Sequence, residues 1–201
     1  MSATAARTIT GVEVIATEPP MPEVRFTDAL PPVRTTVTYV VITDDTGARG
    51  VGAVESDSFG LVDLSVLEAL RPMVPALLGQ DALRPAAITG LMGRRLPSAS
   101  RAVPAAAVEV ACWDLMARHA GLPLHRLLGG AREEVPAYAS LPFEGDAAAL
   151  VGLADRVVAE GYPAAKLHVS GDPDTDIDLV TAVREAHPGL ELVVDAESIY
   201  D

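Results

Sequence analysis

AAKLHVSGDPDTDIDLVTAVREAHPGLELVVDA, residues 164–196, is the stretch whose reading decides the fold. It opens on an apolar run, 164–169, interrupted by Lys166 and His168 two positions apart. Residues 175–187 then carry apolar side chains at helical spacing, and Pro188-Gly189 stops them. A second apolar run, 191–196, closes the stretch on Asp195. Strand, helix, strand in this rhythm predicts parallel strands joined by a helical crossover. Upstream, 135–140 (VPAYAS) reads as a short strand, and 146–160 as a helix ended by Gly161. Residues 133–201 are therefore expected to be a β-α-β-α-β segment of an α/β sheet.

The chemistry-bearing candidates lie in the same stretch. Residues two apart on a strand point to one face, so Lys166 and His168 share a face and Leu167 points the other way, toward the helices. A buried parallel strand is apolar on both faces, so two basic groups on one of them need a reason. The plain alternative is that they sit half in water at the strand's C-terminal end. Asp195 closes the next strand 29 residues after Lys166. A βα unit of an eight-fold barrel averages about 31 residues, which puts the two at one level of adjacent units, at the strand ends where barrels carry their active sites. A carboxylate there suits a hard cation such as Mg²⁺, and a helix N-cap is the alternative reading.

The remaining candidates read as structural. His119, His125 and His187 lie at helix ends and suit the helix dipole. Glu109 and Asp114 read as solvated or inter-domain groups on a helix with an apolar face. Gly47, Gly50 and Gly52 fall in a hairpin, not at a strand-to-helix turn, and make no dinucleotide fingerprint. Cys112, the single cysteine, sits inside a helix with no activating base.

Before residue 132 the pattern is different. Runs 8–17, 34–43 and 49–55 are β-branched or alternating and predict an antiparallel meander, with a turn at 44–47. Between the first two runs lies a loop with prolines at 19, 20, 22, 31 and 32. Long ordered loops are usually functional, and its segment Pro19, Pro20, Met21, Pro22 and Glu23 is the expected specificity loop. Helices are expected over 63–78, 85–96 and 104–119. The chain thus divides into an α+β part, 1–132, and an α/β part, 133–201.

Composition narrows the partners. The net charge is −13, which repels phosphate backbones and anionic lipids and argues against nucleic acid and membrane partners. A single cysteine permits no internal disulfide and fits a reducing, cytoplasmic setting. The first eleven residues have no basic start followed by an apolar core, so no secretory signal is expected.

The run AVEVACWDLMARHAGLPLHRLLGG, then VPAYAS, AAKLHV and VVDAE, resembles the enolase superfamily, in its mandelate racemase and muconate lactonizing enzyme branch. The resemblance implies an α+β capping domain followed by a modified (β/α) barrel. It also implies Mg²⁺-dependent abstraction of the proton α to a carboxylate, through an enediolate. By the same resemblance Asp195 matches the first of three acidic metal ligands. His168 matches the proton-abstracting base of a Lys-x-Lys motif, and Lys166 the lysine that neutralises the substrate carboxylate. Histidine in place of the second lysine titrates near neutrality without a large shift, and Lys-x-His looks more like acid-sugar dehydratases than cycloisomerases. Glu197 stands where an asparagine commonly follows the first ligand.

The resemblance further implies a small hydroxy-acid or sugar-acid substrate and a homo-oligomer when complete. The 69 residues after 132 provide only about two βα units and one strand of an eight-stranded barrel. The expectation is an incomplete barrel lacking the second and third metal ligands. Either the chain is part of a longer product or another polypeptide completes it; a non-catalytic remnant is the alternative.

Overall fold

The computed structural model describes residues 5–17, 36–56, 67–95, 102–196 and 199–200. They fall into two compact units that part between Glu133 and Glu134.

The first unit is built on an antiparallel sheet of β1 (Ile9–Thr17), β2 (Thr36–Asp44) and β3 (Arg49–Ser56), in that order across the sheet. β2 pairs with both neighbours, and its Val40 and Ile42 are fully buried. The expected turn joins β2 to β3. Asp44 Oδ1 shapes it by accepting hydrogen bonds from Thr46 N (2.9 Å), Thr46 Oγ1 (2.6 Å) and Ala48 N (3.0 Å). Gly47 turns the chain at φ 81°, a conformation open to glycine at no steric cost.

Helices cover one side of this sheet. Residues 67–70 are helical and run through a 3-10 turn, Arg71–Met73, into α1 (Val74–Leu77). The expected single helix over 63–78 is thus broken in its described part. Pro72 and Pro75 lack the N–H that a continuous α-ladder needs. α2 (Pro85–Arg95) and α3 (Ala102–Ala120) fall where the second and third helices were expected. A fourth, α4 (Leu124–Leu127), was not anticipated, because one turn leaves no periodicity to read. Ile9, Ile42, Leu70, Ile88, Val108 and Leu115 meet in one core.

α3 lies against the backbone of β3. A Cβ on Gly52 would stand 2.0 Å from the Ala107 carbonyl oxygen, and one on Gly50 2.1 Å from that of Ala111. The two glycines that make no nucleotide loop are therefore the groove into which the small residues of α3 fit. At the same contact, Asp114 Oδ2 accepts hydrogen bonds from Val51 N and Arg118 Nε, both at 2.9 Å. Glu109 accepts one from Thr89 Oγ1 at 3.0 Å. Glu109 and Asp114, expected to be solvated or inter-domain groups, are half-buried and bind these partners within their own unit.

The second unit is a parallel sheet in the order β4 (Ala139–Ser140), β5 (Ala164–His168), β6 (Glu191–Asp195). The strand expected over 135–140 shrinks to its last two residues. Pro136 has no N–H to donate to a ladder, and Val135 is 76% exposed. α5 (Ala147–Ala159) and α6 (Pro173–Ala186) make the crossovers. Asp146 caps α5 by accepting from Ala149 N at 2.8 Å, and Asp172 caps α6 by accepting from Thr175 N at 3.0 Å. Capping moves the start of α6 ahead of the expected 175, since Pro173 is preorganised for the first helical position. Ala165 and Leu167 of β5 pack with Leu150, Ala154 and Val157 of α5 and Leu179 and Val183 of α6. No described helix is long and apolar enough to cross a membrane.

Candidate active site

The parallel register brings the three principal candidates together. Lys166 pairs with Val193, and His168 with Asp195, so Lys166, His168 and Asp195 share the sheet face opposite the helices. Lys166 Nζ donates to Asp195 Oδ2 at 2.7 Å, and His168 Nε2 lies 4.0 Å from the same oxygen. Burial falls across the trio. The His168 side chain is 2% exposed, that of Lys166 20% and that of Asp195 35%. The half-in-water alternative therefore describes Lys166 in part and does not describe His168.

Leu141, directly after β4, orients the histidine. Its N–H donates to the Lys166 carbonyl at 2.9 Å, extending the β4–β5 ladder by one residue. Its carbonyl sits 2.6 Å from His168 Nδ1. A carbonyl only accepts, so Nδ1 carries the proton and a neutral ring holds its lone pair at Nε2, on the side of Asp195. A base with its basic nitrogen fixed beside an ammonium group is suited to take a proton from a carbon acid whose own carboxylate that ammonium neutralises.

The metal reading meets a limit in the donor set. Asp195 supplies a hard oxygen of the kind Mg²⁺ takes, but Mg²⁺ demands near-octahedral ligation. Among the described residues no group of three or more His, Cys, Asp or Glu side chains could hold an ion. These residues do not by themselves make a Mg²⁺ site. Glu197 and the loop segment Pro19, Pro20, Met21, Pro22 and Glu23 lie outside the described residues.

The other candidates separate from this face. His119, read as a dipole partner, lies with Nε2 2.5 Å from Asp44 Oδ2 and ties the end of α3 to the β2–β3 turn. Burial pushes the Asp44 carboxyl up, but hydrogen bonds from Thr46, His119 and Ala48 outweigh it and hold the group at about 2. Burial pushes the Cys112 thiol up to about 12, with Glu109 and Asp81 adding to it, which leaves the thiol inert.

One residue was missed altogether. Asp176 in the first turn of α6 is 6% exposed, and its carboxylate gathers the loop that follows His168. A weak signal was available: an acidic residue four positions beyond the N-cap Asp172 is well placed to bind the preceding loop.

Residues 12–129 match the family model described as the mandelate racemase / muconate lactonizing enzyme N-terminal domain, and residues 149–201 match enolase C-terminal domain-like. A cis-3-hydroxy-L-proline dehydratase from Roseibium aggregatum is 31% identical over 166 residues, covering 78% of this chain and 43% of its own. A 3,6-anhydro-alpha-L-galactonate cycloisomerase from Streptomyces coelicolor is 37% identical over 166 residues, covering 78% of this chain and 45% of its own. The crystal structure of a dipeptide epimerase from Enterococcus faecalis, complexed with Mg and the dipeptide L-Leu-L-Tyr, superposes with a TM-score of 0.83 at 28% identity. That match covers 96% of this chain and 54% of the epimerase. The chain thus spans about half the length of the relatives it matches.

Proposed function

We infer a function from one premise: the chain belongs to the mandelate racemase and muconate lactonizing enzyme branch of the enolase superfamily. The complete protein is a cytoplasmic enzyme that abstracts the proton α to the carboxylate of a small hydroxy acid or sugar acid. His168 Nε2 takes that proton, and the C–H electron pair moves into the carboxylate to give an enediolate. Lys166 leaves Asp195 to neutralise the substrate carboxylate. The His168 imidazolium then gives that proton to a β-hydroxyl, which leaves as water while the enediolate electrons form the Cα–Cβ double bond; this dehydration is the outcome favoured by the Lys-x-His pattern. The dehydratase among the relatives supports this reading. Return of a proton or ring closure gives the isomerase alternatives that the epimerase and cycloisomerase represent.

Residues 1–132 serve as the capping domain and 133–201 as the first part of a barrel completed outside the described residues. Asp195 is then one ligand of a Mg²⁺ ion whose other ligands come from the completing part, Glu197 stands next to that site, and the loop at Pro19–Glu23 contributes to substrate choice. The complete enzyme assembles as a homo-oligomer.

The observation that carries this reading is the Leu141 carbonyl on His168 Nδ1, which leaves the lone pair of a buried imidazole on the side of Lys166 and Asp195. The test is exchange of the substrate α-proton, followed by NMR in deuterium oxide with the completed protein and a panel of hydroxy and sugar acids. His168→Asn is expected to abolish exchange nearly completely; undiminished exchange removes His168 from the role of base.

A further inference from the structure

Asp176 stands apart from the candidate face, yet it joins the two loops that leave it. Its Oδ1 accepts from Ser170 N at 2.7 Å and Ser170 Oγ at 2.8 Å, both just beyond His168. Its Oδ2 accepts from Gly171 N at 3.0 Å and from the Tyr200 hydroxyl, which belongs to the loop beyond Asp195. Gly171 reinforces the join: it sits at φ 93°, and a Cβ there would come within 3.1 Å of Ile199 Cδ1. Ile199, beyond β6, therefore lies directly on the backbone of the loop after β5.

We propose that Asp176 is a positioning residue, a buried carboxylate that locks the loop after β5 to the loop after β6 and so fixes the His168 ring against Leu141 and Asp195. The proposal rests on the reading of His168 as the base and adds to it the device that holds the base still. His168 is two residues from Ser170, so freedom in that loop is transmitted to the end of β5, where a small displacement breaks the hydrogen bond from Nδ1 to Leu141. A ring without that bond populates both neutral tautomers, and only one of them presents its lone pair at Nε2. The charged state of the network agrees with this role. Burial pushes the Asp176 carboxyl up, but hydrogen bonds from Tyr200, Ser170 and Gly171 outweigh it and hold the group below the usual carboxylate range. The same bond raises the Tyr200 hydroxyl to about 12, so the join persists as acceptor and donor across the neutral range.

The test is the ring-nitrogen NMR spectrum of His168 in the ¹⁵N-labelled 201-residue chain, assigned with His168→Asn and recorded alongside a thermal melt. The unmodified chain is expected to show one tautomer, protonated at Nδ1. Tyr200→Phe and Asp176→Asn are each expected to move the His168 nitrogens toward averaged, two-tautomer positions. Leu179→Ala, a core truncation on the same helix, is expected to lower the melting temperature and leave the His168 signals in place. Unchanged His168 signals in both loop variants overturn the proposal, and so does an equal movement caused by Leu179→Ala, which marks a merely structural role. Should Asp176→Asn fail to fold, Tyr200→Phe alone decides, since it removes one hydroxyl from the loop. The readout needs no substrate, so absence of α-proton exchange in the complete protein defeats the proposed activity and leaves this result standing.

Discussion

Among the described residues the two sheets have three strands each, and they treat their edges in opposite ways. In the antiparallel unit the edge strand β3 is covered: α3 lies on its glycines, and the Asp114 carboxylate accepts the Val51 N–H. In the parallel unit no described strand pairs with the far edge of β6, and Val193 and Val194 are 36% and 48% exposed, one on each face. Beside Val194 a hollow of about 390 Å³ runs along Ile177 and Val180 of α6. Parallel sheets are ordinarily covered on both faces. One unit therefore covers part of its edge and buries its own core. The other keeps its chemistry-bearing side chains on a face and beside an edge that further structure is expected to cover.

The largest effect expected from this contrast is at the covered edge. Gly52→Ala drives a methyl group into the Ala107 carbonyl, where backbone rather than a flexible side chain must yield. Overpacking of this kind is expected to cost about 3 kcal/mol, read as a lower urea midpoint for the first unit. A variant as stable as the parent shows that α3 does not depend on that groove.

Next in size is the acid sensitivity of the same unit. Asp44 falls from an ordinary 3.8 to about 2 in the folded chain. A depressed carboxyl contributes stability above its unfolded value and loses it as pH falls through the folded value. About 2 kcal/mol is therefore present above pH ~4 and is lost on acidification toward pH ~2. Melting curves across that window are expected to show the loss, and Asp44→Asn to remove the dependence. A parent chain whose melting is flat over this range contradicts the role given to the turn.

At the open edge the expected effect is on association. Unpaired strands bearing apolar side chains recruit copies of themselves, so the 201-residue chain is expected to elute with light scattering above its 20.9 kDa monomer mass. Val194→Lys, a charge at that edge, is expected to shift it toward monomer. A parent chain that is already monomeric removes the argument from exposure. Smallest of all is the response to Mg²⁺. With no group of three or more His, Cys, Asp or Glu side chains among the described residues placed to hold an ion, calorimetry on this chain is expected to detect no stoichiometric binding. Tight binding abolished by Asp195→Ala reverses that statement and places the missing ligands within the chain.

Much of the second unit was legible because its signals are local. A crossover helix between apolar runs announces parallel pairing, and a period of two puts Lys166 and His168 on one face whatever surrounds them. The juxtaposition with Asp195 followed from the length of one βα unit. What stayed hidden depends on contacts between distant residues. Gly50 and Gly52 declare a close approach, but nothing near them says that Ala107 and Ala111 arrive there. Asp114 and His119 resemble any polar residues on a helix until β3 and the β2–β3 turn are packed against them. Asp176 looks like one of several acidic residues opening a helix, and only the folded loops single it out. Leu141 is an ordinary apolar residue whose backbone carbonyl, not its side chain, sets the tautomer of His168.

Hydrogen exchange followed by mass spectrometry on the 201-residue chain compares the two sheets most directly. Slow exchange is expected in β2 and β3, whose core is covered, and markedly faster exchange in β5 and β6, the strands that carry Lys166, His168 and Asp195. Equal protection in both sheets, with a single cooperative melt, would contradict this comparison, because the parallel unit would then be a finished structure that needs no further strands.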